Sequence, residues 1–214
     1  MLLAIAFKIR SSRGIMPPSM REKRSLNAIC VFCGSSPGRR GEYGEKAREL
    51  GRVLASRGIT LVFGGGDVGL MGELSRAALE AGGRAVGVIP QRILDMVGEA
   101  HVEEIIVARD MHERKARMYE LSDGFIAMPG GIGTMEELFE IFTWYQLGYH
   151  LKPIGLLDLA GYFSAMERFL EHMVAEGFFK RSHREALLVE TEPSVLVDRM
   201  CSQDVVYHEK LEEP

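Results

Sequence analysis

The stretch Gly124-Phe125-Ile126-Ala127-Met128, running on into Pro129-Gly130-Gly131-Ile132-Gly133-Thr134-Met135-Glu136-Glu137, decides how the rest of the sequence is read. An apolar run of strand length stops at a proline and a glycine cluster, and a helical pattern then continues to about Leu147. A strand without polar side chains is buried on both faces, the environment of a parallel sheet covered by helices.

The same alternation recurs outward in both directions. Further strand candidates are Ala28–Cys33, Thr60–Phe63, Ala85–Ile89, Glu104–Val107 and Pro153–Leu157. Helical patterns lie at Glu42–Arg57, Leu70–Ala81, Met111–Leu121, Thr134–Leu147 and Tyr162–Glu176. After Gly177 the pattern thins to a short strand near Leu187–Val189 and a helix at Ser194–Met200. Short apolar strands separated by helices predict an α/β fold, a doubly wound Rossmann-like parallel sheet with helices on both faces, in a single domain. In such sheets ligands bind beyond the carboxyl ends of the strands, and the glycine clusters here do follow strands.

Composition narrows the function. A chain of 214 residues with 46% hydrophobic and 26% charged residues is an ordinary globular protein of one domain. A net charge of −4 argues against general nucleic-acid binding. No apolar run reaches the roughly 18 residues that span a bilayer. The apolar start Met1 to Phe7 precedes its charges Lys8, Arg10 and Arg13, the reverse of a signal peptide. Residues 1–27 read as a flexible arm or an upstream start, with Met20 the alternative first residue, 28–208 as the domain and 209–214 as a tail. Cys30, Cys33 and Cys201 form no disulfide framework, which points to the reducing cytoplasm. Cys30 and Cys33, on opposite faces of one strand, read as core rather than metal ligands, and no histidine spacing suggests a metal.

The turn Pro129–Thr134 carries the strongest chemical signal. Glycines between a strand and a helix expose backbone amides, and the helix dipole adds positive charge, so a phosphate is the natural guest. The alternative is a T-x-x-E capping box formed by Thr134 and Glu137. In Asp110-Met111-His112-Glu113-Arg114-Lys115-Ala116-Arg117-Met118, Asp110 reads as an N-cap. Met111, Arg114, Lys115 and Met118 then share one helix face. Two cations on an inward face need an anionic partner, either a ligand or a structural carboxylate, unless Lys115 reaches out to solvent. Gly64, Gly66 and Gly69 form a G-x-G-x-x-G, but Pro90-Gln91-Arg92 stands where a dinucleotide site places an acid. The cluster Phe63–Gly72, with Gly65 and Gly66 at its centre, therefore reads as the wall of a nucleotide pocket or as a plain turn, and the loop Gly34–Gly38, with Ser35, as a further set of donors or an ordinary polar turn.

With those residues in hand, the sequence resembles the Lonely Guy (LOG) family of cytokinin riboside 5′-monophosphate phosphoribohydrolases. The shared elements are Val31–Ser36, Gly64–Gly66 with Gly69–Gly72, Gly87–Pro90, Met111–Lys115, Pro129–Glu137, Thr143-Trp144, Gln146–Gly148 and Lys152-Pro153. The resemblance implies Arg114 and Glu137 as the catalytic pair. It implies substrate contacts at Lys115, at Gly131, Ile132, Gly133, Thr134, Met135 and Glu136, and at Thr143; Gly130 belongs to the same turn. It also implies a homodimer or larger homo-oligomer without a cofactor. Plant members carry a substrate-contacting glutamate that aligns here with Met96. The lysine decarboxylase label attached to many relatives finds no pyridoxal-phosphate lysine motif here. The expected reaction is hydrolysis of the N-glycosidic bond of an adenine-type nucleoside 5′-monophosphate. The alternatives are a purine-nucleotide sensor without chemistry and, less in keeping with Pro90-Gln91-Arg92, a dinucleotide-dependent oxidoreductase.

Overall fold

The computed structural model describes residues 25–97, 102 and 104–203. Apart from residues 25–27, the expectations for the N-terminal arm and the tail 209–214 fall outside the described residues.

In chain order the elements are β1 (Ala28–Phe32), α1 (Gly41–Ser56), β2 (Thr60–Phe63), α2 (Gly69–Glu80), β3 (Ala85–Pro90), α3 (Gln91–Val97), β4 (Glu104–Ala108) and α4 (Met111–Glu120). There follow β5 (Gly124–Ala127), α5 (Ile132–Gln146), β6 (Ile154–Leu157), α6 (Ser164–Ala175), α7 (Arg181–Ala186), β7 (Leu187–Glu190) and α8 (Pro193–Ser202). All strand pairs are parallel, in the order β4-β3-β2-β1-β5-β6-β7. The expected doubly wound sheet is present, with β1 at its centre.

The pleat sorts side chains between two cores. Ile29, Val31, Leu61, Phe63, Ile126 and Met128 face α1, α2 and α8, meeting Leu50, Leu54, Leu70, Leu74 and Leu196. Cys30, Phe32, Val62, Phe125 and Ala127 face the other way, onto Met118 of α4, Leu138 and Ile141 of α5 and Leu170 of α6. Cys30 and Cys33 accordingly lie in different cores, both buried.

Several boundaries differ from those expected. Helix α5 starts at Ile132, before the expected Thr134, with Gly131 as its N-cap and no side-chain cap bond. Thr134 is thus inside the first turn, and no capping box forms, because the Glu137 carboxylate is engaged elsewhere. Tyr162 lies ahead of α6 in a turn rather than in the helix. The short helices α3 and α7 were not expected: six or seven residues show too little periodicity to register. Edge strand β4 is only partly covered. Among the described residues no helix is long and apolar enough to cross a membrane.

Candidate functional site

The strand order reverses between β1 and β5, and the chain leaving β1 runs to α1 on one face while that leaving β5 runs to α5 on the other. A crevice at such a switch point is where open α/β sheets bind ligands. Here it is a cavity of about 330 Å³, within the range of small-molecule pockets. Its walls are Phe32 to Ser35 after β1, Gly64 and Met71, Met111 and Arg114 of α4, and Gly131 to Thr134 with Glu136 and Glu137 of α5.

The loops are stitched together by backbone. Gly34 N–H donates to the Pro129 carbonyl at 3.0 Å, and Leu70 N–H donates to the Gly34 carbonyl at 3.0 Å. Gly69 has φ +60°, and a Cβ there would sit 2.3 Å from the Ser35 carbonyl carbon, so only glycine allows this approach.

The start of α5 is open. Among the described residues, none of the amides of Gly131, Ile132, Gly133 and Thr134 donates to a protein acceptor. A Cβ built on Gly131 or Gly133 would meet nothing within 4 Å. Gly131 has an unstrained φ of −88°. Neither packing nor backbone conformation within the chain asks for glycine at these two positions, and a close external guest does. Gly130 is different: a Cβ there would lie 2.1 Å from Thr134 Oγ1.

Opposite this turn, Arg114 Nη1 donates to Glu137 Oε1 at 2.7 Å. Arg114 Nε donates to the Val88 carbonyl at 3.1 Å, which fixes the guanidinium plane. Gly64 makes room for it, since a Cβ there would be 2.4 Å from Arg114 Nη2. Glu137 is only 8% exposed. Its burial pushes the carboxyl above the ordinary glutamate value, and Arg114 pulls it partly back. The neighbouring Cys33 thiol is raised by burial and by the Glu137 charge, which leaves it a poor nucleophile.

Arg114 and Lys115, the two cations on the inward face of α4, thus have carboxylate partners on α5. Lys115 does not reach out to solvent: its Nζ donates to Glu136 at 2.5 Å and Glu140 at 2.9 Å. Asp110 caps α4 as expected, accepting from Glu113 N–H at 2.9 Å.

Of the residues singled out from sequence, the cavity gathers Ser35, Arg114, Gly131, Ile132, Gly133, Thr134, Glu136 and Glu137. Gly130 lines a second cavity behind the turn, which shares Gly34, Ser35 and Gly131 with the first. Met135 packs against the α5-side core. Gly65 has φ +75°, and its Cα packs under Gly87, so its glycine serves the turn; Gly66 abuts Met71. Thr143 is exposed, about 240° round the helix from Glu137. It borders a hollow with Phe139, Phe142 and Phe178 instead. Met96 is exposed on α3 and is not among the lining residues. The sequence reading reached Gly34, Gly64 and Met71 only through the loop and the cluster they belong to, and it missed Val31, Phe32, Cys33 and Met111 as lining. The position of Phe32 to Gly34 beyond a central strand was the available signal. The methionines carried none beyond helix periodicity.

Comparison with known proteins shows the family. A family model described as "Possible lysine decarboxylase" matches residues 71–200. The Arabidopsis thaliana cytokinin riboside 5′-monophosphate phosphoribohydrolase LOG5 is 46% identical over 83% of this chain and 78% of its own. A probable rice enzyme of the same name, LOGL1 of Oryza sativa subsp. japonica, is 49% identical over 75% of this chain and 72% of its own. The chain belongs to the LOG family. Solved structures share the fold at greater distance. The molybdenum cofactor carrier protein of Chlamydomonas reinhardtii has a TM-score of 0.60 at 24% identity, covering 81% of this chain and 94% of that one. The molybdenum cofactor binding protein of Rippkaea orientalis has a TM-score of 0.62 at 24% identity, covering 84% and 96%. At that identity the likeness speaks for the LOG fold alone. In this LOG family member the turn and the glutamate come from the start of α5 and the arginine from α4, two segments brought together by the sheet.

Proposed function

We propose that the protein hydrolyses the N-glycosidic bond of an adenine-type nucleoside 5′-monophosphate, a cytokinin riboside 5′-monophosphate or AMP, to free base and ribose 5-phosphate. The observation that carries this reading is the unpartnered amide turn Gly131–Thr134 facing the buried Arg114–Glu137 pair across one cavity. The relatives LOG5 and LOGL1, named as a phosphoribohydrolase and a probable phosphoribohydrolase of this class, support it.

The amides hold the 5′-phosphate at the α5 dipole, which fixes the ribose over the ends of β1 and β5. The C1′–N bond breaks with its electron pair leaving on the base, and a water oxygen bonds to C1′ and gives up a proton, which ends on the departing base nitrogen. Positive charge grows on the sugar as the base departs. Glu137, ionised beside Arg114, opposes that charge or orients the water. Lys115 keeps Glu136 and Glu140 in register beside it. The protein works in the cytoplasm, where its three cysteines stay as thiols.

It works as a homodimer. An aromatic face that includes Phe139 and Phe178, the latter 84% exposed, lies around Thr143 and away from the chain's own cavity. A second copy seated there brings Thr143 to the nucleotide of its neighbour.

The test is release of base from a panel of nucleoside 5′-monophosphates, followed by chromatography. Glu137→Ala and Arg114→Ala should each lower kcat/KM by about 100-fold or more. Near wild-type turnover in either variant removes this mechanism.

A further inference from the structure

We propose that Tyr162 is a positioning residue for the phosphate turn: its hydroxyl holds the Gly130 carbonyl and thereby aims the Gly131 amide at the ligand. This inference rests on the function proposed above and concerns how its phosphate site is kept in shape.

The Tyr162 hydroxyl donates to the Gly130 carbonyl. The Gly130–Gly131 peptide is trans, so its carbonyl and its N–H point in opposite directions. A carbonyl drawn towards Tyr162, in the second cavity, turns the Gly131 N–H away from that side. Arg114 and Glu137 line the first cavity, which Gly131 also borders, whereas Tyr162 lines the second. A peptide between two glycines has little intrinsic preference against flipping, and among the described residues Gly131 N–H has no acceptor to hold it. The hydroxyl is the restraint on that peptide, set on the face away from the ligand.

The chain makes an unusual turn to deliver this side chain. Tyr162 N–H donates to the Leu159 carbonyl at 3.1 Å, closing a four-residue turn. Its central residues, Ala160 at φ +53° and Gly161 at φ +69°, are both left-handed, a conformation that alanine rarely adopts. Asp158 Oδ1 accepts from Phe163 N–H at 2.7 Å and locks the far side. The ring is backed as well: Tyr43 meets Tyr162 edge-on at 6.1 Å, and Gly38, at φ +73°, leaves space that a Cβ would take from Tyr43. Backbone strain at Ala160 thus coincides with a contact to the phosphate turn, where strain is expected to serve a purpose.

Tyr162→Phe removes the hydroxyl and keeps the ring packing, and Tyr43→Phe is the control. Binding of AMP and of adenosine is measured by calorimetry, and base release from AMP is measured with inorganic phosphate as competitor. In Tyr162→Phe, the Kd and KM for AMP and the Ki of phosphate should all rise about tenfold, the scale of one lost hydrogen bond. Adenosine binding and kcat should change little. Equal weakening of AMP and adenosine would mark a general structural loss and overturn the proposal. Unchanged AMP and phosphate affinities, or a loss confined to kcat, would overturn it too. If the wild-type protein binds AMP but releases no base, the proposed hydrolysis falls, while the binding comparison still decides the role of Tyr162.

Discussion

In the proposed function, Gly131 and Gly133 answer to a ligand rather than to the fold. Nothing among the described residues would meet a Cβ at either position, and alanine is better than glycine inside a helix by about 1 kcal/mol. Gly133→Ala should therefore leave chemical denaturation unchanged or make it slightly harder, while the KM for nucleotide rises by about tenfold or more, a loss of roughly 1.4 kcal/mol in binding. Glu137 carries the pH dependence at this scale. Burial holds its carboxyl above the ordinary 4.5, so its ionised form is lost at a higher pH than an exposed glutamate's. The acid limb of kcat/KM should lie above that value. Arg114→Lys, which keeps the charge but loses the planar contact to Glu137 and Val88, should move the limb further up, as pH–rate profiles of both proteins would show.

At the scale of elements, the segment between α5 and β6 is held by a buried histidine. His150 Nε2 lies 2.9 Å from the Ile141 carbonyl, and Nδ1 accepts from Lys152 N–H at 3.1 Å, which requires the neutral tautomer with its proton on Nε2. Lys152 in turn donates to the Tyr119 carbonyl at 2.6 Å and lies 3.8 Å from the centre of that ring. The motif Lys152-Pro153 therefore ties β6 to the end of α4. Burial lowers the pKa of His150 from 6.5 to about 4. Above 6.5 neither folded nor unfolded chain is protonated there; between 6.5 and about 4 the unfolded chain takes up a proton that the folded chain refuses. Stability should therefore fall with pH across that window, by up to about 3 kcal/mol, and the fall should level off below it. Denaturant melts of wild type and His150→Gln at several pH values check this. The variant should start less stable at neutral pH and lose less on acidification.

The whole molecule decides where Thr143 acts. It shares helix α5 with Glu137 yet faces the hollow bordered by Phe139, Phe142 and Phe178. If that face seats a second copy, Phe178→Asp should shift the protein to monomer in sedimentation and cut base release. Mixing Glu137→Ala with Thr143→Ala chains should restore activity through the one mixed site that carries neither change. Activity of the mixture no greater than that of the two variants alone would show that each chain works by itself.

How much was legible beforehand varies along the chain. Strands Ala28–Phe32, Thr60–Phe63 and Gly124–Ala127 could be read because residues buried on both faces leave an uninterrupted apolar signature. The turn at Gly131 could be read because glycine clusters have few other uses between a strand and a helix. The short helices α3 and α7 could not, since too few residues repeat to reveal a period. Sequence by itself determined the alternation of elements, the parallel sheet and the residue types a phosphate and a sugar cation require. Only the tertiary structure decided that Arg114 meets Glu137, that Lys115 belongs to Glu136 and Glu140, and that Tyr162 reaches Gly130. Those pairings join segments distant in the chain, and their geometry follows from the order in which strands pair, which no local run of residues encodes.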